Sequence, residues 1–435
     1  MAAAQKNWLV SSLRLEAQEG DFLRKSAHSY ATRIGLMAGE FLLNIVVTRL
    51  LGPEGRGGLA LAGSAAGVVS QFGMIGQNAA NVFYSAKRRI PLGTLLSNSL
   101  LLSLLVGLLF MGGLAIGGAP LREWMGLSTL MLLLVVVAVP LQMGQQLQRG
   151  LMMGRELVYA ANHLEIQVKL LQFVLIGLVL LGGMIEPETV FAVGIVVSGA
   201  ALVLGARQLV RHVPGFRLGS PSIPVFHRTA GYGGKAYVAS LLSFAVLRVD
   251  IFLINHFLGL ESAGLYAAGM AIVNAIYVLP STLSQLLLAR LSSMRERTAR
   301  LRFAGRIALL VSVIMAPLLA IAWYFAYDLF ILLFGVAFAD ASFAFQWLLP
   351  GVFIWSVEAN LRKLYSSNGF ASWIVYAWAL AFLVNLGLNL VLIPDYGISG
   401  AAVASSLALG LVGCWTFAVF AKDVLTIPGS RESRE

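Results

Sequence analysis

The chain has 435 residues, of which 58% are hydrophobic and only 12% charged, and its mean hydropathy is +0.82. Soluble domains carry about 25% charged residues, so this composition excludes one and marks an integral membrane protein. The net charge of +11 sits in short connections, and the longest of them, Arg207 to Lys235, is too short to hold a separate catalytic module.

A helix needs roughly 20 apolar residues to cross a bilayer, and twelve such runs follow one another here with little between them. Residues 1–28 lack the apolar core and small-residue cleavage site of a signal peptide, so the first span itself is expected to direct insertion. An amphipathic piece around Trp8, Leu9, Leu13 and Leu15 either lies on the membrane surface or is a free tail.

Span 1, Ser29 to Leu51, carries Arg33, Glu40 and Asn44 at intervals that place them on one helical face. A charge at mid-bilayer costs about 2.5–3.5 kcal/mol on insertion scales, so it persists where water, a partner or a substrate compensates it. Arg33 either snorkels to the headgroups or joins a cavity, and Glu40, which is deeper, is expected to line one. The Gly52–Gly57 stretch has no preceding strand and no following Lys-Ser/Thr, which rules out a nucleotide loop and predicts a tight extracytoplasmic corner.

Span 2, Leu59 to Ala86, holds Gln71, Gln77, Asn78 and Asn81 among small residues, as glue between helices or as contacts to a polar ligand. Spans 3 (Leu92 to Ile116), 4 (Leu127 to Leu147, with Pro140) and 5 (Tyr159 to Leu181) follow. In span 5, Lys169 either bridges Glu165 one turn away or adds positive charge to a cavity. Span 6, Val190 to Leu209, leads into the Pro-containing basic stretch to Lys235, expected to be a solvated linker. Span 7, Ala236 to Phe257, carries Arg248 and Asp250, two residues apart and therefore on different faces. Either one faces the lobe interior and the other a neighbouring helix, or both are satisfied by partners within the lobe and never meet a substrate. Span 8 (Leu265 to Leu288) and span 9 (Arg306 to Tyr327) follow, then an amphipathic lead-in, Asp328 to Ala344, to span 10, Phe345 to Leu361. Glu358 and Asn360 fall near the end of that span, where solvation is one reading and a site the other. Span 11, Ser372 to Leu392, ends at a Pro/Gly corner before span 12. The sole cysteine, Cys414, excludes an intrachain disulfide and a Cys-based metal site.

Counted along these spans, twenty-one Lys and Arg lie on one side, while Arg49, Arg56 and Arg122 lie on the other. The positive-inside rule then puts both termini in the cytoplasm and accounts for the basic pI without nucleic acid. A second regularity is a repeat. Leu51, Gly52, Glu54, Gly57 and Ala60 match Leu258, Gly259, Glu261, Gly264 and Ala267 without a gap, each shifted by 207 positions. An internal repeat near half-length in so apolar a chain predicts two homologous lobes facing a substrate path.

Several corner motifs occur together: Arg49-Leu50-Leu51-Gly52-Pro53-Glu54-Gly55-Arg56-Gly57, then Asp250 with Leu258-Gly259 and Gly264-Leu265-Tyr266. Leu333-Phe334-Gly335, Leu392-Ile393-Pro394, Tyr396-Gly397 and Gly400-Ala401-Ala402 complete the series. In this order, from about Lys25 to Lys422, the chain resembles the polysaccharide (O-antigen type) flippases of the superfamily that includes multidrug and toxin extrusion transporters and lipid II flippases.

The resemblance implies an all-α integral membrane protein of about 12 transmembrane helices in two pseudo-symmetric six-helix lobes. The expected divisions are a cytoplasmic segment 1–28, lobes 29–209 and 236–421 joined by a basic linker 210–235, and a tail 422–435. It further implies movement of an undecaprenyl-linked oligosaccharide across a bacterial inner membrane by alternating access. Membrane lipids and polysaccharide polymerase machinery are the other expected partners. A pyrophosphate and a glycan call for cations and amides, for which Arg33, Lys169, Arg248, Gln77, Asn78 and Asn360 are the candidates. The related exporters use acidic groups for a coupling ion, so Glu40, Asp250 and Glu358 are the candidates for H+ or Na+, with no other cofactor or metal expected. The competing readings are a cation-coupled drug exporter and a membrane glycosyltransferase, polymerase or ligase. An enzyme of that kind needs an acidic or His base beside a lipid phosphate site, and here the acids are scattered and the outer loops short.

Overall fold

The computed structural model describes the backbone of residues 2–230, 234–294, 296–366 and 371–426, and side chains over the same stretches except 2–34, 235–236, 285–286, 288–289 and 292–293. Arg33 and the amphipathic piece around Trp8 lie outside the residues whose side chains are described. Apart from short connections such as 213–222, the described chain is helical. In order come α1 (Ala2–Gly73), α2 (Gln77–Lys87), α3 (Leu92–Met125), α4 (Thr129–Gly154), α5 (Val158–Leu181), α6 (Pro187–His212) and α7 (Ile223–Ala230). The second half has α8 (Gly234–Val246), α9 (Val249–Ser293), α10 (Arg297–Tyr324), α11 (Ala326–Phe334), a 3-10 turn (Val336–Phe338), α12 (Ala341–Ser366) and α13 (Ser372–Leu425).

Three of these helices are hairpins. α1 breaks at Gly52 (φ 68°, ψ 179°), α9 at Gly259 (φ 85°, ψ 179°) and α13 at Gly397 (φ 62°, ψ −145°), a left-handed backbone that glycine adopts without a Cβ clash. The two arms of each then lie side by side. Tyr266 donates to Asp250 at 2.7 Å, and Asn385 to Ser405 at 3.3 Å. In straight helix, at about 1.5 Å per residue, these pairs would be roughly 24 and 30 Å apart. Likewise Glu40 and Gly63, on the two arms of α1, border one recess. Two spans each from α1, α8 with α9, and α13, and one each from α3, α4, α5, α6, α10 and α12, make twelve, six in each half.

The repeat read from the sequence is physical. Gly52 and Gly259, 207 positions apart, share nearly the same dihedrals. A Cβ on Gly57 would lie 1.9 Å from the Leu260 carbonyl oxygen, and one on Gly264 would lie 1.7 Å from that of Pro53. Leu260 and Pro53 are themselves offset by 207. Each half thus touches the other with the same atoms, the reciprocity of a two-fold axis, and only glycine lets the backbones meet. The main buried core runs across this seam, from Leu61, Met131 and Val135 of one lobe to Ile254, Tyr266 and Phe345 of the other. Further along, spans 2 and 7 remain joined: Tyr237 Oη donates to the Phe72 carbonyl at 2.8 Å, and Gln71 to Ser240 at 3.3 Å.

Two expectations change here. The Gly52–Gly57 corner is a single residue: Pro53 opens the next helical arm, where its missing N–H costs nothing and its φ is already helical. Arg56 therefore stands in a helix and not in a loop. The basic linker is also not simply solvated. Asn98 of α3 accepts from the Ser222 N–H at 2.7 Å and donates to its carbonyl at 3.0 Å, Ser97 donates to the Gly219 carbonyl, and Thr229 of α7 is buried.

Candidate functional site

Between the lobes lies a cavity of about 520 Å³, walled by both arms of α1, the end of α8, both arms of α9, and Trp355 of α12. Its apolar wall includes Met37, Phe41, Phe244 and Met270, and its polar groups include Glu40, Asn44, Ser64 and Asn274. Two guanidinium groups enter it, Arg56 from the N-terminal half and Arg248 from the C-terminal half. Arg248 reaches this position because the helix is interrupted between Val246 and Val249, which puts it at the N-cap of α9. It donates to Ser64 of the opposite lobe at 3.2 Å and stands over the Phe244 ring, 5.7 Å from its centre. Arg56 is close enough to Arg248 to feel its charge, and its Nε is buried without a partner. Among the described residues neither arginine has a carboxylate within ion-pair distance. The carboxylate that shares their cavity, Glu40, is held by Lys169 at 2.5 Å. Two guanidinium groups without a carboxylate partner are the chemistry that an anion with several oxygens pairs with.

Behind the cavity wall, in the C-terminal lobe, Asp250 is 3% exposed. Its carboxylate accepts from Tyr266 Oη at 2.7 Å, from Asn389 Nδ2 at 2.9 Å, and from the Ser405 hydroxyl, which in turn accepts from Asn385. No described cation pairs with it, so any negative charge on this carboxylate is held by hydrogen bonds alone. Such a charge is costly inside a membrane unless a proton or a cation neutralises it. The carboxylate, the Ser405 hydroxyl and the buried, unpartnered amide oxygens of Asn385 and Asn389 are hard oxygen donors of the kind an alkali or alkaline-earth ion takes. Tyr266 also lines the central cavity, so one side chain connects the two sites.

The model of a family described as "Polysaccharide biosynthesis protein" matches residues 46–342, more than half of the chain. The chain belongs to this polysaccharide biosynthesis family. No curated protein matches it significantly. Among solved structures it is similar to an inward-facing multidrug resistance MATE transporter of the MOP superfamily (TM-score 0.67, 14% identity, 90% of this chain and 96% of that one). It is also similar to the lipid II flippase MurJ in an inward closed conformation (TM-score 0.69, 13% identity, 91% and 89%). A Vibrio cholerae MATE transporter, VcmN, in a mutant form, is a third (TM-score 0.62, 14% identity, 92% and 98%). These likenesses establish the fold, an all-α membrane protein of two six-helix lobes.

In this polysaccharide biosynthesis protein, the residues singled out from the sequence separate into three groups. Arg248 and Glu40 line the cavity, while Lys169 stands behind it as the partner of Glu40 and not of Glu165, which pairs with Arg149 at 2.9 Å. Asp250 is in the buried polar cluster. Gln77, Asn78, Asn360 and Glu358 are outside the cavity. Gln77 is buried and donates to Thr229 at 3.0 Å, joining span 2 to the linker, and Asn78 is exposed beside Gly150. Asn360 is buried and donates to the Ser356 carbonyl at 2.9 Å. Glu358, 1% exposed rather than solvated, is closed off by Arg362 at 2.9 Å. Gln77, Asn360 and Glu358 thus bond within the bundle, and each keeps one buried oxygen (Oε1, Oδ1 and Oε2) without a partner among the described residues. Arg56, Asn385, Asn389, Tyr266 and Ser405 were not foreseen as site residues.

Proposed function

We propose that this membrane protein is a flippase that carries a polyprenyl-pyrophosphate-linked oligosaccharide to the outer leaflet of the bacterial cytoplasmic membrane for surface polysaccharide assembly. The observation that carries the reading is the pair Arg56 and Arg248, one from each lobe, facing the same cavity without a carboxylate partner. A pyrophosphate between them would cancel their mutual repulsion and tie the lobes together. Loading thereby favours a different relation of the lobes from the empty state, which is the differential affinity that alternating access requires. Such a cavity is ill suited to a cationic drug, which sets the exporter reading second. Against an enzymatic reading, the carboxylate that lines this cavity among the described residues, Glu40, is paired with Lys169.

The positive-inside rule places the basic connections and both termini in the cytoplasm. In that orientation the glycine turns face outward, and the Gly57–Gly264 seam closes the outer side. The Asp250 cluster is the coupling site for H+ or Na+ in this scheme. Tyr266 transmits its occupancy to the cavity, while Glu40 and Glu358 stay engaged in their ion pairs.

The test is ligand-induced stabilisation of the purified protein. Polyprenyl pyrophosphate raises the melting temperature and polyprenyl alcohol does not, and the difference disappears in Arg56→Gln combined with Arg248→Gln. Equal stabilisation by both lipids, or stabilisation by a lipophilic cation alone, refutes the assignment.

A further inference from the structure

We infer that the N-terminal lobe contains a second, charge-neutral subsite for the uncharged sugars of the cargo, an inference that rests on the flippase reading and deepens it. Between α1, α4, α5 and α6 lies a cleft of about 530 Å³. The spacing of Gln142, Gln145, Gln146 and Arg149 puts all four on one face of α4, and all four line the cleft. Its charges cancel in pairs, Arg149 with Glu165 at 2.9 Å and Lys169 with Glu40 at 2.5 Å. The cleft therefore lacks the net positive charge of the arginine cavity and does not select an anion.

Its amides are available. Gln148, which points toward α6, is committed to the Leu202 carbonyl at 3.2 Å, and Gln172 accepts from Lys169 at 3.4 Å. Gln142, Gln145 and Gln146 make no side-chain hydrogen bond to any described residue. Uncommitted amides within a membrane helix are costly unless water or a hydroxyl-bearing ligand meets them. Each amide offers two donors and an acceptor, the complement of a sugar hydroxyl, which both donates and accepts.

The cleft also continues from the anion site. A recess of about 270 Å³ shares Arg56, Asn44 and Glu40 with the arginine cavity, and shares Glu40, Gln142 and Gln172 with the cleft. Aliphatic side chains such as Leu43, Val47 and Ile176 line the rest of this recess, so a ligand with its pyrophosphate at Arg56 and Arg248 reaches the cleft past Asn44, Glu40 and Gln142, the polar residues through which the neighbouring spaces join.

The experiment measures the equilibrium binding of two soluble probes to the purified full chain. These are the oligosaccharide freed by mild acid from the host's lipid-linked pool, and inorganic pyrophosphate. Gln145→Leu with Gln146→Leu is expected to weaken the oligosaccharide at least tenfold and leave pyrophosphate unchanged. Arg56→Gln with Arg248→Gln should do the reverse. Gln145→Asn, which keeps an amide but withdraws it by one methylene, should fall between wild type and the Leu pair, separating lost recognition from lost folding. Oligosaccharide affinity that is absent in the wild type, or unchanged in both Gln variants, overturns the subsite. The flippase reading survives that result as long as pyrophosphate still requires the arginines, and falls separately if it does not.

Discussion

Replacing Gly264 by alanine puts a methyl group where the structure has a carbonyl oxygen. The new Cβ would lie 1.7 Å from the Pro53 oxygen and 2.8 Å from the Gly57 nitrogen, all backbone atoms that cannot rotate away. An ordinary C···O approach is about 3.3–3.6 Å, so the lobes must part by roughly 1.6 Å at the seam. Overpacking of this kind costs typically about 1–3 kcal/mol. Because the clash exists only while the seam is closed, the cost shifts the conformational balance toward forms open at the glycine turns, by about 5–150-fold over that range. Gly57→Ala, with its 1.9 Å clash on Leu260, should behave the same way. The assay uses Cys414→Ser, which removes the exposed native thiol, with Asn274→Cys as a reporter in the cavity wall. Labelling of intact cells by a membrane-impermeant maleimide should accelerate in both alanine variants. A rate equal to the parent's, in protein that inserts and melts normally, would show that the seam is not the outer closure.

Asp250→Asn keeps the shape of the polar cluster but removes its charge, and should abolish the dependence of transport on a sodium or proton gradient while pyrophosphate binding persists; gradient-driven transport at the parental rate would exclude Asp250 as the coupling group. Tyr266→Phe withdraws one donor from that carboxylate, an exchange worth about 1–3 kcal/mol for a buried group, and should lower the melting temperature in the ion-free state and shift the ion concentration for half-maximal transport; an unchanged half-maximal concentration would separate Tyr266 from the coupling site. Glu40 and Lys169 are 48% and 22% exposed, so breaking their pair by Glu40→Gln should cost under about 1 kcal/mol of stability. By leaving Lys169 unpaired it should tighten the binding of inorganic pyrophosphate, which isothermal titration would show; the further change Lys169→Met should return the affinity to its starting value.

Much of the architecture was legible because it depends on local signals. The matches of Leu51, Gly52, Glu54, Gly57 and Ala60 at an offset of 207 pointed to the two lobes, and the Gly52 and Gly259 turns repeat each other in dihedral angle as well as in sequence. Arg248 and Asp250 stood out because charges in an apolar run need a reason; their two-residue spacing gives only that they face different ways, and the fold puts Arg248 on the cavity wall and Asp250 in a buried polar cluster. Arg56 was misplaced because five of its neighbours are Gly, Pro or Glu and read as a loop, although a proline just after a glycine is also how a helix begins. The partners of Asp250 come from α9 and both arms of α13, up to 155 residues away, so no window of sequence contains them. Asn385 and Asn389, one turn apart in an apolar run, were the available hint. Lys169 shows the limit of short-range reasoning: an i,i+4 partner stood beside it, yet the fold supplied Glu40, 129 residues away.

The central claim is that two facing lobes move an anionic lipid through a cavity that Arg56 and Arg248 make attractive to pyrophosphate. It is tested most directly in proteoliposomes containing a polyprenyl pyrophosphate with a fluorescent sugar, with an impermeant quencher added outside. Wild-type protein should bring the inner-leaflet fluorophore into reach of the quencher, and Arg56→Gln with Arg248→Gln should leave it protected. Equal exposure by the two proteins, or protection by both under an imposed ion gradient, would contradict the account.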